Sequence, residues 1–444
     1  MNQSIQKKML AILFLMGIWA TSFGQAEEFS FTLQQARDYA VEHSYSTQKS
    51  VMDQEIAVKK MKEVTAIGLP QINGTADFKN YIDIPTFLIP NPNGGDKIPA
   101  QFGTDYNVSA GVSVSQLIFN GSYIVGLQAA KSYREMSEKA VIKSEREIKD
   151  DVTKAYGNVI IAVENFETIK GNKKYLEETL KETKALFESG FAQEQDVDQL
   201  TILVQSAEIQ LNRAERLQTI SQNFLKFQMG LEISKAITLT DNLPVIVAYG
   251  NDSNIVNQVF DVNMHIDYKI ALNNQELQLL NYKNTKADFL PTLGAFYQYQ
   301  TGYQNSDLSF KSEYWFPTTL WGLQLNIPIF SSGQKMFVKQ QAELNWKKAE
   351  VDSKQAEEGL LVEFLTSKSQ YLFTIDQYKN SKDNLDLVQR IVDKETQKYK
   401  EGMSSSLNLA NAQIQFFQIQ GAYIQSIMEM INARSAMDRI LSNY

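Results

Sequence analysis

Ile118-Phe119-Asn120-Gly121 and Ile329-Phe330-Ser331-Ser332-Gly333 each join a strand-like segment to a long run of helical sequence, and together they decide the fold. Gly333 follows Gly121 at the same offset at which Gly402 follows Gly190. The stretch from the first glycine to the second therefore has the same length in both copies. The chain contains two copies of one structural unit, and the length of the helix inside that unit is constrained.

The sequence after Gly121 has the heptad pattern of a coiled coil. Spacings of four and three residues connect Ile148, Val152, Ala155, Val159, Ala162, Phe166 and Ile169. We predict long helices at about 121–190 and 333–402, each roughly 105 Å long at about 1.5 Å per residue. Return helices are predicted at about 196–230 and 407–441.

Each copy begins with a shorter helix that ends at a proline. Thr32 and Gln35 predict a capping box at the start of the first helix, which is expected to run to about Ile67. Leu69-Pro70 ends this helix, and Leu290-Pro291 ends its counterpart. The segment between the copies, at about 231–261, is predicted to be a linker with a small strand and turns.

The hydrophobic period changes from helical to two after each proline, which predicts strands. One hairpin is expected at about 71–119 and another at about 292–329. The first contains a proline-rich stretch from Pro85 to Gly103, which predicts a long irregular loop, whereas the second loop is short. One face of the strands is apolar, and aromatic residues are frequent in the second hairpin. The pattern fits a slice of an outer-membrane barrel, and an ordinary half-buried surface sheet stays open as the alternative.

Composition limits the possible classes of function. A net charge of −8 disfavours nucleic-acid binding, and the absence of cysteine excludes disulfides, thiol nucleophiles and cysteine-based zinc sites. Lys7-Lys8, the apolar run 9–20 and small residues before Gln25 predict a secretory signal peptide at 1–24 rather than a membrane anchor. The two histidines, His43 and His265, give no ligand set for a metal. We therefore expect no enzyme activity and no cofactor.

The duplicated order of helix, Leu-Pro, strand hairpin, long helix, glycine tip and return helix resembles the TolC-like outer membrane efflux proteins, also called outer membrane factors. This resemblance covers nearly all of the chain after residue 24. It implies a mainly α fold with membrane β structure: a homotrimer whose twelve-stranded β-barrel continues into a periplasmic α-helical barrel. The implied organisation is a first repeat at 25–230, an inter-repeat linker or equatorial region at 231–261, and a second repeat at 262–444.

The resemblance also implies a function and partners. The chain is expected to lie in the bacterial outer membrane, in contact with its lipid and extending into the periplasm. There it would be the passive exit duct of a tripartite efflux or type I secretion system, with a periplasmic adaptor and an inner-membrane transporter. The alternative is a periplasmic coiled-coil adaptor, or a structural envelope protein without a pore. The sequence does not identify the cargo.

The resemblance places candidate functional residues at the helix tips and on the second hairpin. Gate and pore candidates are Asp196, Tyr399, Ser404, Asn408 and Asn411, with a hydrogen bond expected between Tyr399 and Asp196. Contacts with the adaptor are expected at Gly190 and Gly402. A simple capping role for the tip glycines and for Asp196 stays open. Candidates for a membrane aromatic girdle are Tyr297, Tyr299, Tyr314, Trp315 and Trp321.

Overall fold

The structure is a computed structural model that describes residues 29–441, so the predicted signal peptide at 1–24 lies outside the described residues. Its strands and helices, in chain order, are β1 (Phe29–Phe31), α1 (Leu33–His43), α2 (Tyr45–Ile67), β2 (Gln71–Asn80), β3 (Thr86–Ile89), β4 (Ile98–Gln101), β5 (Tyr106–Phe119), α3 (Gly121–Glu188), α4 (Glu194–Met229), β6 (Ile237–Leu239), α5 (Leu243–Gly250), α6 (Ile266–Ala287), β7 (Thr292–Asn305), β8 (Trp315–Asn326), α7 (Gln334–Lys400) and α8 (Ser406–Leu441).

The chain is mainly helical and repeats one order of elements. A helix, long strands, a very long helix and a return helix occur as α2, β2 to β5, α3 and α4, and again as α6, β7, β8, α7 and α8. The two long helices have 68 and 67 residues, close to the lengths predicted. Among residues 29–441, no helix is both long and apolar enough to cross a membrane.

The described residues divide into two compact units. The first, here called the helical unit, comprises 29–51, 141–266 and 358–441, and the second, the sheet unit, comprises 52–140 and 267–357. The sheet unit contains one antiparallel sheet with the strand order β2-β5-β7-β8. In the helical unit, α8 packs against α4 and α5.

The prolines end the helices where the sequence predicts. Helix α2 ends at Ile67 and β2 begins at Gln71, directly after Pro70, while α6 ends at Ala287 and β7 begins at Thr292, directly after Pro291. A proline disfavours helical conformation in the residue before it, so the chain leaves the helix and enters the sheet. The predicted capping box at the chain's first helix is also confirmed, with Thr32 Oγ1 3.2 Å from the Gln35 amide and Gln35 Oε1 2.9 Å from the Thr32 amide.

The first helix of the chain is not continuous, contrary to the prediction. Helix α1 ends at His43, and Ser44 is extended with φ −63° and ψ 145° before α2 begins. Gly230, with φ +73°, lies against this break, since a Cβ on Gly230 would lie 2.1 Å from the carbonyl oxygen of His43. The break lies where the backbone at the end of α4 packs directly against His43 and Ser44. This contact joins residues that are distant in the sequence.

The prediction of an irregular loop between Pro85 and Gly103 is wrong. Strands β3 and β4 form a small antiparallel hairpin there, with Leu88 opposite Pro99 and the rings of Phe87 and Phe102 6.3 Å apart. Proline is tolerated at a sheet edge because its missing N–H need not serve a neighbour. Four prolines therefore did not exclude a two-stranded pairing.

The segment 231–261 contains a strand, as predicted, and also a helix that was not predicted. Strand β6 pairs in parallel with β1, and the hydroxyl of Tyr156 lies 2.9 Å from the Asp241 carboxylate and 3.0 Å from the Phe31 carbonyl oxygen. Helix α5 begins after Asn242, whose side chain accepts from the Val245 amide. This helix was not predicted because the valines and isoleucine of α5 form a short apolar run that is typical of a strand.

A cationic and aromatic cluster stabilises the helical unit beside α5. The ring of Tyr249 contacts two guanidinium groups, with its centroid 5.2 Å from Arg37 and 5.0 Å from Arg434. Its hydroxyl donates to Asp438 over 2.6 Å, and burial raises the pKa of Tyr249 well above its usual value. Two cation–π contacts of partly buried groups hold α1, α5 and α8 together.

Candidate functional site

The strand register gives the sheet two different faces. On one face Val112 of β5 lies opposite Gly74 of β2 and Tyr299 of β7. The next residue of β5 on this face, Val114, lies opposite Ile72 and Tyr297, so the face is apolar here as well. Many of these side chains are exposed, including Ile72, Phe78, Val112, Tyr297, Tyr299, Trp321, Leu323 and Leu325. Exposed apolar surface on this scale marks a face that contacts another protein or a membrane.

The opposite face of the sheet is polar. Ser113 lies between Asn73 and Gln298, and Ser109 and Ser115 are on the same face of β5. Gln298 and Gln300 are hydrogen-bonded to each other over 3.2 Å. Three larger apolar residues, Phe296, Leu320 and Phe316, interrupt this face. The ring of Phe296 fills the space above Gly322, where a Cβ would lie 2.9 Å from the ring. The face can therefore be hydrated along most of its length.

Neither edge of the sheet is covered. Within the part of the chain that the structure describes, β2 pairs only with β5 and β8 pairs only with β7. Both edge strands are long, with 10 and 12 residues, and they leave rows of unpaired backbone N–H and C=O groups. Such edges are ready to pair with another strand.

The aromatic candidates form two groups along β7 and β8. Tyr297 lies directly opposite Trp321, which is 78% exposed, and Tyr299 follows on the same face. Near the other end of the strands, Trp315 lies opposite Tyr303 with ring centroids 5.6 Å apart, and Tyr314 meets the same ring edge-on. Six residues of strand, about 20 Å, separate the two groups.

The helix tips have the same backbone geometry in both copies. Gly190 has φ +82° and Gly402 has φ +72°, the left-handed conformation that glycine adopts without strain. After each glycine the next amide bonds back to a carbonyl five residues earlier, Phe191 to Leu186 and Met403 to Lys398, both over 2.8 Å. These are Schellman motifs, so the capping interpretation of both glycines is supported. No other atom lies within 4 Å of a Cβ placed on either glycine, which leaves the tips open.

Asp196 caps the start of α4. Its carboxylate accepts from the backbone amide of Gln193 over 3.0 Å, three residues before it. It thus occupies the N3 position of a capping box and places negative charge at the positive end of the helix. The structure gives Asp196 a local role at this position, as the capping alternative expected, although Gln193 and not Asp196 is the N-cap.

The predicted hydrogen bond between Tyr399 and Asp196 is not formed. The Tyr399 hydroxyl lies 3.0 Å from Oγ1 of Thr183, a buried residue on α3, and so links the last turns of α3 and α7. Burial raises the pKa of Tyr399, the Thr183 hydroxyl opposes this, and the Asp196 carboxylate is near enough to add to the increase. The Tyr399 hydroxyl therefore bonds to a neutral threonine, while the Asp196 carboxylate accepts from the Gln193 amide at the start of α4.

The remaining tip candidates form a polar cluster in the turn between α7 and α8. Ser404 donates to Glu395, and Asn408 donates to Ser404 over 3.3 Å. The Ser404 hydroxyl lowers the pKa of Glu395, which also pairs with Lys398 at 3.5 Å. Asn411 is exposed on α8 and forms none of these bonds.

One ion pair and one apolar cluster hold the tip helices together. Lys400 of α7 pairs with Glu182 of α3 at 3.0 Å, and this partner raises the pKa of Lys400. Below it, Leu176 of α3, Leu200 of α4 and Leu409 of α8 are buried against each other, and Tyr399 packs on them. Among the described residues no group of three or more His, Asp or Glu side chains could hold a metal ion.

Comparison with known proteins identifies this arrangement. The family model "Outer membrane efflux protein" matches residues 40–231 and 271–443, which is most of the chain and includes both long helices and the whole four-stranded sheet. The chain belongs to the outer membrane efflux protein family. The family and the outer-membrane location predicted from the sequence are confirmed.

Relatives of this efflux protein share its fold at low sequence identity. The outer membrane protein TolC of Vibrio cholerae is 24% identical over 287 residues, which are 64% of this chain and 61% of that protein, so the match spans less than two thirds of the relative. VceC of Vibrio cholerae has a TM-score of 0.68 at 16% identity, with 93% of this chain and 96% of that chain covered. The Campylobacter jejuni CmeC outer membrane channel has a TM-score of 0.66 at 19% identity, with coverage of 91% and 85%. The open state of the Neisseria gonorrhoeae MtrE outer membrane channel has a TM-score of 0.68 at 17% identity, with coverage of 92% and 88%. The predicted TolC-like fold class is confirmed.

Several residues of this efflux protein's tip were missed by sequence reasoning. Thr183, Glu182 and Lys400 hold the ends of α3 and α7 together, although none is unusual in its own segment. The equal spacing of the glycines in the two copies was the available signal, because it places residue 399 level with residue 187, about one helical turn from residue 183. Tyr303, fully buried among Phe310, Tyr314 and Trp315, was recognised only as one aromatic residue among several.

Proposed function

We propose that this efflux protein is the outer-membrane exit duct of a tripartite efflux or type I secretion system and acts as a homotrimer. The four-stranded sheet with two uncovered edges is the observation that carries the proposal. Three copies pair β2 of one protomer with β8 of the next and give twelve antiparallel strands, an even number within the range of bacterial barrels. The apolar face then contacts lipid, and the serines and glutamines line the pore.

One aromatic group marks an edge of the lipid-facing band. In an outer-membrane barrel, aromatic girdles flank an apolar band of about 25 Å, whereas the two groups on β7 and β8, about 20 Å apart along strands tilted by about 35–45°, differ by only about 15 Å in height. We assign Tyr314 and Trp315 to one girdle. Because Leu293 and Leu325 continue the same apolar face beyond Tyr297 and Trp321, we place Tyr297, Tyr299 and Trp321 on the lipid-facing surface inside the band. Tyr303 supports the girdle from below, since its ring contacts both Tyr314 and Trp315.

The repeated order of elements supports the two-repeat organisation. We propose that residues 25–230 and 262–444 form the repeats and that 231–261 is the equatorial connection between them. The long helices of three protomers then form a periplasmic helical barrel that continues the strand barrel. Coiled-coil packing over such lengths favours long helices of equal length in the two repeats, and the stretch from Gly121 to Gly190 is as long as that from Gly333 to Gly402.

The helix tips are proposed as the periplasmic entrance and the docking site of the adaptor. Gly190 and Gly402 are each followed by an exposed apolar residue, Phe191 at 84% and Met403 at 66% exposure. These two residues occupy equivalent positions in the two copies, so each helix tip has an exposed apolar side chain at the same place. Asp196, Tyr399, Ser404, Asn408 and Asn411 stay candidates for the lining of the entrance. An inner-membrane transporter would supply the cargo through the adaptor.

Conductance measurements test the channel and its entrance together. Trimers reconstituted into planar bilayers are expected to form a defined ion-conducting pore. Tyr399→Phe removes the bond to Thr183, and since a hydrogen bond contributes about 1 kcal/mol, the ratio of open to closed entrance should rise about fivefold. Tyr297→Phe, on the sheet, is the matched control and should conduct like the wild type. Reconstituted trimers that never conduct, in the wild type and in Tyr399→Phe alike, would refute the duct.

A further inference from the structure

A pocket in the helical unit is not explained by a passive conduit. It has a volume of about 320 Å³ and lies between α3, α7 and α8, with the start of α5 at one side. This volume falls within the roughly 300–1,000 Å³ typical of small-molecule sites. Its walls are largely apolar, formed by Ile161, Leu243, Leu385, Phe416, Ile424 and Ile427.

Two carboxylates line the same pocket. Glu164 on α3 and Asp386 on α7 are both at the wall and are exposed, and neither forms a salt bridge or a side-chain hydrogen bond among residues 29–441. Both are near Tyr423, another wall residue. Burial raises the pKa of Tyr423 to about 12, and Tyr378, Asp386 and Glu164 add to the effect. The wall therefore has a negative potential and no lysine or arginine.

Gln420 adds an unsatisfied polar group. Its side chain lines the pocket, the residue is only 5% exposed, and its Oε1 has no hydrogen-bond partner. A buried amide oxygen without a partner costs about 1–3 kcal/mol, so a ligand that donates to it gains binding energy. A flip of the amide group presents either its oxygen or its N–H₂ group to the pocket.

We propose that this pocket binds a small amphiphilic organic cation. An ammonium group in this pocket is attracted by the carboxylates of Glu164 and Asp386, and no lysine or arginine of the pocket wall competes with it. A primary ammonium can also donate to the amide oxygen of Gln420. The apolar part of the ligand packs on Phe416 and Ile424, and the faces of Phe416 and Tyr423 favour a cation further. An anion is repelled by both carboxylates, and a neutral molecule loses the charge interaction.

Three ligands of one shape test this proposal without reference to transport. The wild-type trimer, kept in amphipol because a detergent tail could fill the pocket, is titrated calorimetrically with 4-phenylbutylamine, 4-phenylbutanol and 4-phenylbutyrate at pH 7. Each exposed charge pair raises the affinity by up to about fivefold, so the dissociation constant of the protonated amine should be at least about tenfold lower than that of the alcohol. The carboxylate should show no saturable binding.

Paired variants locate the site. Glu164→Gln with Asp386→Asn should lower the affinity for the amine about tenfold, to that of the alcohol, while trimer formation and conductance stay unchanged. Glu167→Gln with Asp383→Asn removes the same charge from the same two helices at positions outside the pocket wall and should have no effect. Equal binding of amine and alcohol by the wild type, no saturable binding of the amine, or full amine affinity in the first double variant would each overturn the proposal. A channel that conducts but fails this test would leave the proposed function intact.

Discussion

Arginine at Val112 or Leu323 is expected to prevent assembly of this efflux protein in the outer membrane. Val112 is half-exposed near the middle of β5, Leu323 is exposed on β8, and both are on the apolar face of the sheet. An arginine facing lipid costs about 2–4 kcal/mol near the bilayer midplane, the expected level of Val112, and less towards the interface, where Leu323 lies; in a trimer the cost applies three times. Heat-modifiable trimers should disappear from the outer-membrane fraction, as judged by gel electrophoresis without boiling.

The neighbouring residue in each strand gives the control for this prediction. Ser113→Arg and Gln324→Arg add the same side chain one position away, on the polar face. Because alternate residues of a strand point to opposite faces, these arginines would lie in the water-filled pore. Normal trimers are expected from both. If all four variants assembled equally well, the assignment of the apolar face to lipid would be wrong.

Alanine at Gly230 is expected to destabilise the helical unit more than alanine at Gly190 or Gly171. The Cβ would lie 2.1 Å from the carbonyl oxygen of His43 and 3.0 Å from Cα of Ser44, both backbone atoms that cannot move aside. Gly230 also has φ +73°, a conformation that strains other residues. Together the clash and the strain should cost about 3 kcal/mol or more, measured as a loss of thermal stability by circular dichroism.

Two other glycines separate the clash from the conformational strain. Gly190 has a similar φ of +82° with no other atom within 4 Å of a Cβ, so Gly190→Ala should cost only about 1 kcal/mol. Gly171 lies inside α3, also with free space around a Cβ, and Gly171→Ala should stabilise the helix by about 0.5–1 kcal/mol. The expected order of stability is Gly171→Ala, wild type, Gly190→Ala, Gly230→Ala. A Gly230→Ala variant as stable as Gly190→Ala would contradict the close approach of α4 to the break after His43.

Features of the fold that depend on local sequence could be predicted. The capping box at Thr32, the helix ends before Pro70 and Pro291, and the period-two strands all follow from residues near one another in the chain. The lengths of the two long helices could be predicted because the spacing between the glycines is the same in both copies. These signals were sufficient for the family, which the match to residues 40–231 and 271–443 confirms.

Features that depend on contacts between distant segments could not be predicted. The break after His43 exists because Gly230 packs there, and Tyr399 bonds Thr183 because residues 216 positions apart meet at the tip. Helix α5 was missed since its apolar residues have no helical period of their own and are placed by α8. The hairpin of β3 and β4 was missed because prolines at a sheet edge are compatible with pairing.

The contact of the sheet with lipid can be measured directly, because the chain contains no cysteine and every introduced thiol is unique. Leu323→Cys and Gln324→Cys place a fluorescent maleimide on opposite faces of β8 in the reconstituted trimer. Brominated lipids should quench the label at position 323 and leave the label at 324 bright, whereas iodide in the aqueous phase should quench only the label at 324. Equal quenching of the two labels by either agent would contradict the membrane barrel.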